Sequence, residues 1–383
     1  MMIGEPSAPV PVVDLAMSAN LYQNDATVDA ALAPEQPALQ QLGPRPLPLF
    51  VSLLQNQRVI APERTEKALR GLKKIQNVAV SRATIAAPIA ARKGRAALHD
   101  FGGTGPTVVF IPSLINPATI LDIIPERSLL RWLSTQGLHP YLVDWGDVGA
   151  TDAGLSIADH VADVLLPLLA TLSETPHLVG YCLGGTMALA AAQLSIARSL
   201  TLIASPWHFS AYPPHHRQAM DQIWDASHVN AAQMGVLPIE ILQTMFWQLD
   251  PAGTIEKYAG FVDIPSAGLD FELFIAMEAW ANSGAPLSFA AARELFDDFI
   301  ATDLPGTSRW RVRGEVIAPE RVRCPALEIV SLSDSIVPSA TATRFFKRHE
   351  IDRGHVGMIT GSQAKTKLWQ PLREWLSQPE ING

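Results

Sequence analysis

The sequence predicts an α/β protein: a mostly parallel central sheet flanked by helices, interrupted by a helical insertion. Two observations carry this. Short β-branched runs alternate with helical stretches from about residue 98 to 205. The alternation stops at Ser205-Pro206 and resumes at Ala326-Leu-Glu-Ile-Val330. Composition agrees with a large buried core, since 48% of the 383 residues are hydrophobic and 17% are charged.

Thr107-Val-Val-Phe-Ile111 reads as a buried strand closed by Pro112. Ser128–Gln136 reads as a helix with Gly137 as its stop. Pro140–Val143 is a strand, and Ser156–Leu172 a helix with Ser156 as N-cap. His177–Gly180 is a strand, Thr186–Leu194 an Ala-rich helix, and Leu200–Ala204 the next strand. Pro238–Leu249 and Leu269–Asn282 read as helices of an insertion with no clear strand. A short helix closes the pattern near Leu376, with Pro371 suited to its first turn. The expected division is 1–97, an N-terminal arm and helical segment; 98–205 plus 306–383, the core; and 206–305, a lid.

Residues 1–50 read as a loose arm with a short helix near Val28–Leu32, and residues 49–80 as helical. Lys67, Arg70, Lys73 and Lys74 recur at helical spacing. That pattern describes a solvated face or, alternatively, a partner- or phosphate-binding one. The aromatic residues of 206–280, among them Trp207, Phe209, Tyr212, Trp224, Phe246, Tyr258 and Trp280, describe a helical core or the apolar face of a lid.

Several function classes fall away. A net charge of −8 gives no global attraction to nucleic acid or to an anionic membrane. Two cysteines, Cys182 and Cys324, cannot build a disulfide framework, and no metal-ligand spacing appears. His215-His216 is poor geometry for joint chelation and is expected in a surface loop. No secretory signal is expected at the N-terminus, and no apolar stretch is long enough to span a bilayer. A cytoplasmic enzyme is the expectation.

Gly180-Tyr181-Cys182-Leu183-Gly184-Gly185-Thr186 lies between a predicted strand and a predicted helix. This is the nucleophile-elbow pattern of the α/β-hydrolase fold, with Cys where Ser is usual. Gly180 and Gly184 suit a turn too tight for Cβ atoms. Cys182 would sit at a helix N-terminus, where the dipole favours a thiolate. The Leu183 N–H could meet a developing oxyanion, with a second donor expected near Ser113 or Leu114. In this fold an acid and then a His follow the nucleophile. Asp334, just past the Ala326–Val330 strand, and His355, flanked by Gly354 and Gly357, stand in that order. Cys324, before Pro325, reads as a small core residue.

These segments together resemble the polyhydroxyalkanoate synthases, most closely the short catalytic subunit of the two-subunit class (class III). Gly180–Thr186 resembles the family's lipase box, with Gly185 as a further elbow glycine. Pro112–Asp122, Ser128–Leu133, Leu142–Gly146, Leu237–Glu240, Lys257-Tyr258, Val262-Asp263 and Met277–Trp280 resemble family segments in order. So do Asp334–Pro338 and Gly354–Gly357. The resemblance covers about residues 100–376. Departures are Ala118-Thr119, where an aromatic pair is usual, and Ser335 after the acid.

The resemblance implies polymerisation of (R)-3-hydroxyacyl-CoA into polyester through an acyl-Cys182. His355 would be the base, and Asp334 would either orient it or help activate the incoming hydroxyl. Coenzyme A leaves as product, and no cofactor is implied. It also implies a homodimer built partly through the lid, a possible non-catalytic partner subunit, and a place at the polyester granule surface. Arg309, Arg311 and Arg313 are candidate cations for coenzyme A. A thioesterase or polyester depolymerase on the same three residues is the competing reading, and a non-catalytic granule- or partner-binding protein a third.

Overall fold

The computed structural model describes residues 40–41, 44, 47–58, 61–80, 84–249 and 251–378. The expected helix at Val28–Leu32 lies outside them. Two helices come first, α1 (Leu47–Arg58) and α2 (Pro62–Gln76). The eight strands of the main sheet follow: β1 (Ile89–Lys93), β2 (Ala96–Asp100), β3 (Thr107–Ile111), β4 (His139–Asp144), β5 (His177–Tyr181), β6 (Ser199–Ile203), β7 (Ala326–Ser331) and β8 (Lys347–Ile351).

Their spatial order is β8-β7-β6-β5-β3-β4-β2-β1. Strands β3 to β8 pair in parallel, and β4, β2 and β1 pair antiparallel. Strand order reverses between β3 and β5. In an open parallel sheet the crevice at such a reversal, beyond the strands' C-terminal ends, is where ligands bind. This is the α/β-hydrolase fold expected from the sequence.

Strands β3, β5 and β6 are buried at every residue, and β3 therefore reads as a nearly continuous apolar run. The sequence missed the β1–β2 hairpin and β8. Strand β1 is an exposed edge, Ile-Ala-Ala-Arg-Lys, with no alternation to read. Strand β8, Lys-Arg-His-Glu-Ile, carries the charges that keep an edge from pairing with other chains. Strand β2 runs across residue 97, so the sheet begins before the expected core boundary.

Helix α3 (Leu129–Thr135) starts where expected, with Ser128 Oγ accepting from the Arg131 N–H at 3.0 Å. The helical run 157–169 (α4) is capped by Ser156, whose Oγ accepts from the Asp159 N–H. Its middle, His160–Leu165, is a π-helix just before Pro167. The same pairing recurs at Lys365–Trp369 before Pro371. Pro371 stands in the first turn of the closing helix Gln370–Leu376, as expected, directly after that π-helix. A wider turn spares the clash between a Pro ring and the preceding carbonyls.

The insertion contributes α6 (Pro214–Met234), after α5 (Leu183–Leu194), then α7 (Ile239–Leu249), α8 (Pro251–Phe261) and α9 (Leu269–Ala281). It also holds a short antiparallel pair, Leu287–Ser288 with Val236–Leu237, where no strand was expected. Its aromatic residues divide mainly between two cores, while Trp280 joins a third around Phe110 and Leu142. Trp207, Phe209 and Trp224 pack into the core that covers one face of the sheet, where Trp224 stacks on Phe296 at 5.0 Å. Tyr258 and Phe261 instead pack with Phe50, Leu72 and Ile75 of α1 and α2.

That second core explains half of the basic cluster on α2. Lys67 Nζ pairs with Asp263 at 2.5 Å, and Lys74 Nζ donates to the carbonyls of Phe261, Val262 and Ile264 just past α8. A cation there complements the negative end of that helix. Arg70 and Lys73 stay exposed, as a solvated face requires. Among the described residues no helix is long and apolar enough to cross a membrane.

Candidate active site

Strand β5 ends at Tyr181 and α5 begins at Leu183, so Cys182 alone makes the turn, with φ 57° and ψ −134°. A side chain in this region costs about 1–3 kcal/mol and persists only where its surroundings hold it. Here the Cys182 N–H donates to Ile203 O at 3.0 Å, and the Gly185 N–H to Cys182 O at 2.8 Å. The helix starts three residues earlier than the Thr186 expected from sequence, directly against the cysteine.

The glycines are sterically required. A Cβ on Gly180 would lie 2.4 Å from Gly185 Cα, and one on Gly184 would lie 2.1 Å from Ile111 O. A Cβ on Gly185 would lie 1.7 Å from Ser205 Oγ. The helix N-terminus is thereby packed against the ends of β3 and β6.

Asp334 follows β7 and His355 follows β8, and the two loops meet over Cys182. Asp334 Oδ1 accepts from the N–H groups of Ile336 and Val337 at 2.8 and 2.9 Å. Its Oδ2 accepts from His355 Nδ1 at 2.6 Å. His355 also has the Cys182 sulfur as a hydrogen-bond partner. Both Asp334 and His355 are buried. Burial pulls the imidazole's pKa down, but the Asp334 carboxylate and the Cys182 sulfur beside it prevail and raise it to about 10. The three residues singled out in the sequence are thus brought together. The other cysteine, Cys324, lies away from this cluster, and burial pushes its thiol up to about 11.

Two cavities meet at Cys182. The larger, about 330 Å³, lies between the sheet's C-terminal edge and the insertion; Cys182, His355, Ser113 and Ile115 line one side, and Gln243, Lys257, Glu278 and Trp280 the other. The smaller, about 50 Å³, is almost wholly apolar and is lined by Leu183, Phe209, Tyr212, Met245 and Leu295 beside Cys182. Leu183 therefore borders the smaller cavity. Leu114 packs its side chain into the core, while its neighbours Ser113 and Ile115 face the larger cavity. The Ile115 N–H is already taken by Ser113 Oγ at 3.2 Å.

Arg309, Arg311 and Arg313 line neither cavity. Arg309 donates to Thr307 Oγ1 and Thr302 O, Arg311 to Gly314 O, and Arg313 to Ala162 O. The cation on the cavity wall is Lys257, paired with buried Glu278, whose other oxygen accepts from Tyr258 Oη at 2.6 Å. Sequence reasoning placed these residues only within resembling segments; their meeting depends on how α8 packs on α9. His215 and His216 fall in the first turn of α6 and not in a loop. Pro214 opens that helix, and His216 is buried while His215 is exposed.

The sheet order and the strained cysteine turn define a protein of the α/β-hydrolase fold whose elbow carries a thiol. More narrowly, the chain is a relative of the poly(3-hydroxyalkanoate) polymerase subunits. It is 25% identical over 292 residues to the poly(3-hydroxyalkanoate) polymerase subunit PhaC of Haloferax mediterranei, covering 72% of this chain and 59% of that protein. It is 25% identical over 287 residues to the subunit of the same name from Thiocystis violacea, covering 71% of this chain and 80% of that one. The match therefore spans about three fifths of the Haloferax relative's length. Among solved structures, a monoacylglycerol lipase of Paleococcus ferrophilus is 14% identical, covering 75% of this chain and 98% of that one, with a TM-score of 0.44. No family model matches the chain.

Proposed function

We propose that this protein is an acyltransferase that polymerises (R)-3-hydroxyacyl-CoA into polyester, with release of coenzyme A, through an acyl-Cys182. The observation that carries the reading is the thiol itself. It is held at a strained elbow against His355, in a chain whose relatives are polyester polymerase subunits.

Cys182 sulfur attacks the thioester carbonyl carbon, and the carbonyl π pair moves to oxygen. Collapse breaks the bond to coenzyme A, whose sulfur takes the proton that His355 holds. The acyl group then sits on Cys182 as a thioester, still activated for transfer to an alcohol. The 3-hydroxyl of a second unit gives its proton to His355 and attacks that thioester. The ester bond forms and Cys182 leaves. Asp334 has one oxygen bound by two backbone N–H groups and the other by His355. This supports the orienting role over direct activation of the hydroxyl. A requirement for a second subunit, a dimer through the insertion and residence at the granule surface belong to the same reading.

The test is purified protein with (R)-3-hydroxybutyryl-CoA and longer homologues, alone and with a candidate partner subunit. Thiol release is followed, the intact product is sized by size-exclusion, and a separate portion is identified by methanolysis. Coenzyme A release with polyester is the expected result, abolished in Cys182→Ala. Release with free hydroxy acid alone would make the protein a thioesterase.

A further inference from the structure

The smaller cavity beside Cys182 contains one polar side chain that the mechanism above leaves unused. Tyr212 lines it together with Cys182 and Leu183, amid otherwise apolar walls. The residue is 8% exposed. Its hydroxyl makes no hydrogen bond to any other described residue. The phenol oxygen is not among the fully enclosed polar atoms that lack a partner, so it keeps open space beside it.

The loop that carries Tyr212 is firmly held. The N–H groups of Trp207 and His208 both donate to Thr341 O, at 2.7 and 2.8 Å. Buried Asp303 accepts from the Phe209 N–H at 2.9 Å and from Ser210 Oγ at 2.5 Å. The Tyr212 N–H closes the turn onto Phe209 O at 3.2 Å. The unpartnered hydroxyl therefore sits on a fixed support. The phenol also lies within the fields of Cys182 and Asp334, which add to burial in holding its proton on. It is a donor that stays neutral.

Resting on the acyl-Cys182 reading, we propose that Tyr212 is a catalytic residue: its hydroxyl donates a hydrogen bond to the carbonyl oxygen of the acyl group at Cys182 as that oxygen takes up negative charge. When sulfur bonds to the carbonyl carbon, the π pair moves onto this oxygen. Tyr212 and the Leu183 N–H, both bordering the small cavity, stabilise it. No proton is transferred, and the pair returns to reform the carbonyl as coenzyme A leaves. Phenol donors serve this purpose elsewhere, and removal of one oxyanion donor commonly costs about 10²–10³ in rate.

The test compares wild type with Tyr212→Phe in two reactions at Cys182, each followed by intact-protein mass. Acylation by (R)-3-hydroxybutyryl-CoA and by p-nitrophenyl butyrate builds an oxyanion. Alkylation by iodoacetamide does not, and reports only access to the thiol and its reactivity. The expected result is acylation slowed about 10- to 1000-fold, with alkylation within about twofold of wild type. Equal acylation rates would overturn the proposal. So would a parallel fall in both reactions, which would make Tyr212 a structural wall. Acylation of wild type by the ester but not by the coenzyme A thioester would overturn the polymerase reading alone, with the comparison of variants still deciding Tyr212. Acylation by neither, with the candidate partner subunit present, would overturn both.

Discussion

Tyr181 lies nearly flat against His355, ring centroids 4.9 Å apart and planes at 23°, and its hydroxyl donates to the His355 carbonyl at 3.1 Å. The residue before Cys182 thus clamps the loop that carries the imidazole. The two contacts separate experimentally. Tyr181→Phe keeps the ring and loses one hydrogen bond, which costs about 1 kcal/mol of stability. Its acylation rate should stay within a few fold of wild type. Tyr181→Leu loses the stack as well, and should slow acylation at least tenfold while shifting the pH–rate profile. Identical profiles for the Leu variant and wild type would remove Tyr181 from the site's architecture.

The pairing of His355 with Asp334 sets a pH dependence whose direction follows from its sign. The folded-state pKa of His355, about 10, lies above the ordinary value of 6.5. Its contribution to stability is full below about pH 6.5 and is lost as pH rises through about 10, at up to about 1.4 kcal/mol per unit. The urea midpoint of wild type should therefore exceed that of His355→Gln most at the acid end of this window, and the gap should close toward its alkaline end. A gap that widens with pH would mean that His355 is neutral in the folded protein. Asp334→Asn should cost about 10²–10⁴ in acylation rate, because the imidazole loses its orienting carboxylate.

The elbow glycines allow a rescue experiment. Gly185→Ala places a methyl 1.7 Å from Ser205 Oγ and 2.4 Å from Ser205 Cβ. Overpacking of this kind costs about 1–3 kcal/mol or more. The obstacle is a side chain, so Ser205→Gly in the same protein should restore most of the loss, read as a lowered and then recovered denaturation midpoint. Gly184→Ala should find no such rescue, since its obstacle is the backbone oxygen Ile111 O. Equal stability of Gly185→Ala and wild type would show that the helix shifts freely at this point.

Strand β3 was legible to the residue because both its faces are buried, and a doubly buried strand is an unbroken apolar run. The Cys182, Asp334 and His355 set was legible because chain order and loop position are fixed once the elbow is found. Strand β1 was not, since Ala, Arg and Lys at an exposed edge carry no period. Lys257 and Glu278 stayed hidden for another reason. Their pairing joins two helices, and nothing local to either records which neighbour it will meet. The three arginines at 309, 311 and 313 show the converse: charge allowed a ligand or a plain surface role, and acceptors of the chain itself, Ala162 O for Arg313 being distant in sequence, had already taken each one.

The backbone of Cys182 offers a measure of how much strain the site holds. At φ 57° and ψ −134° a glycine is at ease and every other residue is not. Cys182→Ala removes the thiol and keeps the Cβ, so it should abolish acylation and leave stability close to wild type. Cys182→Gly removes the thiol and the strain together. Relief of about 1–3 kcal/mol outweighs the roughly 0.5–1 kcal/mol that glycine costs in chain entropy. The Gly variant should therefore be inactive yet about 1 kcal/mol more stable than the Ala variant. That difference appears as a higher urea midpoint at unchanged slope, because both variants unfold the same surface. A Gly variant no more stable than the Ala variant would mean that the turn is held without strain, and that presenting the thiol to the cavities costs the fold nothing.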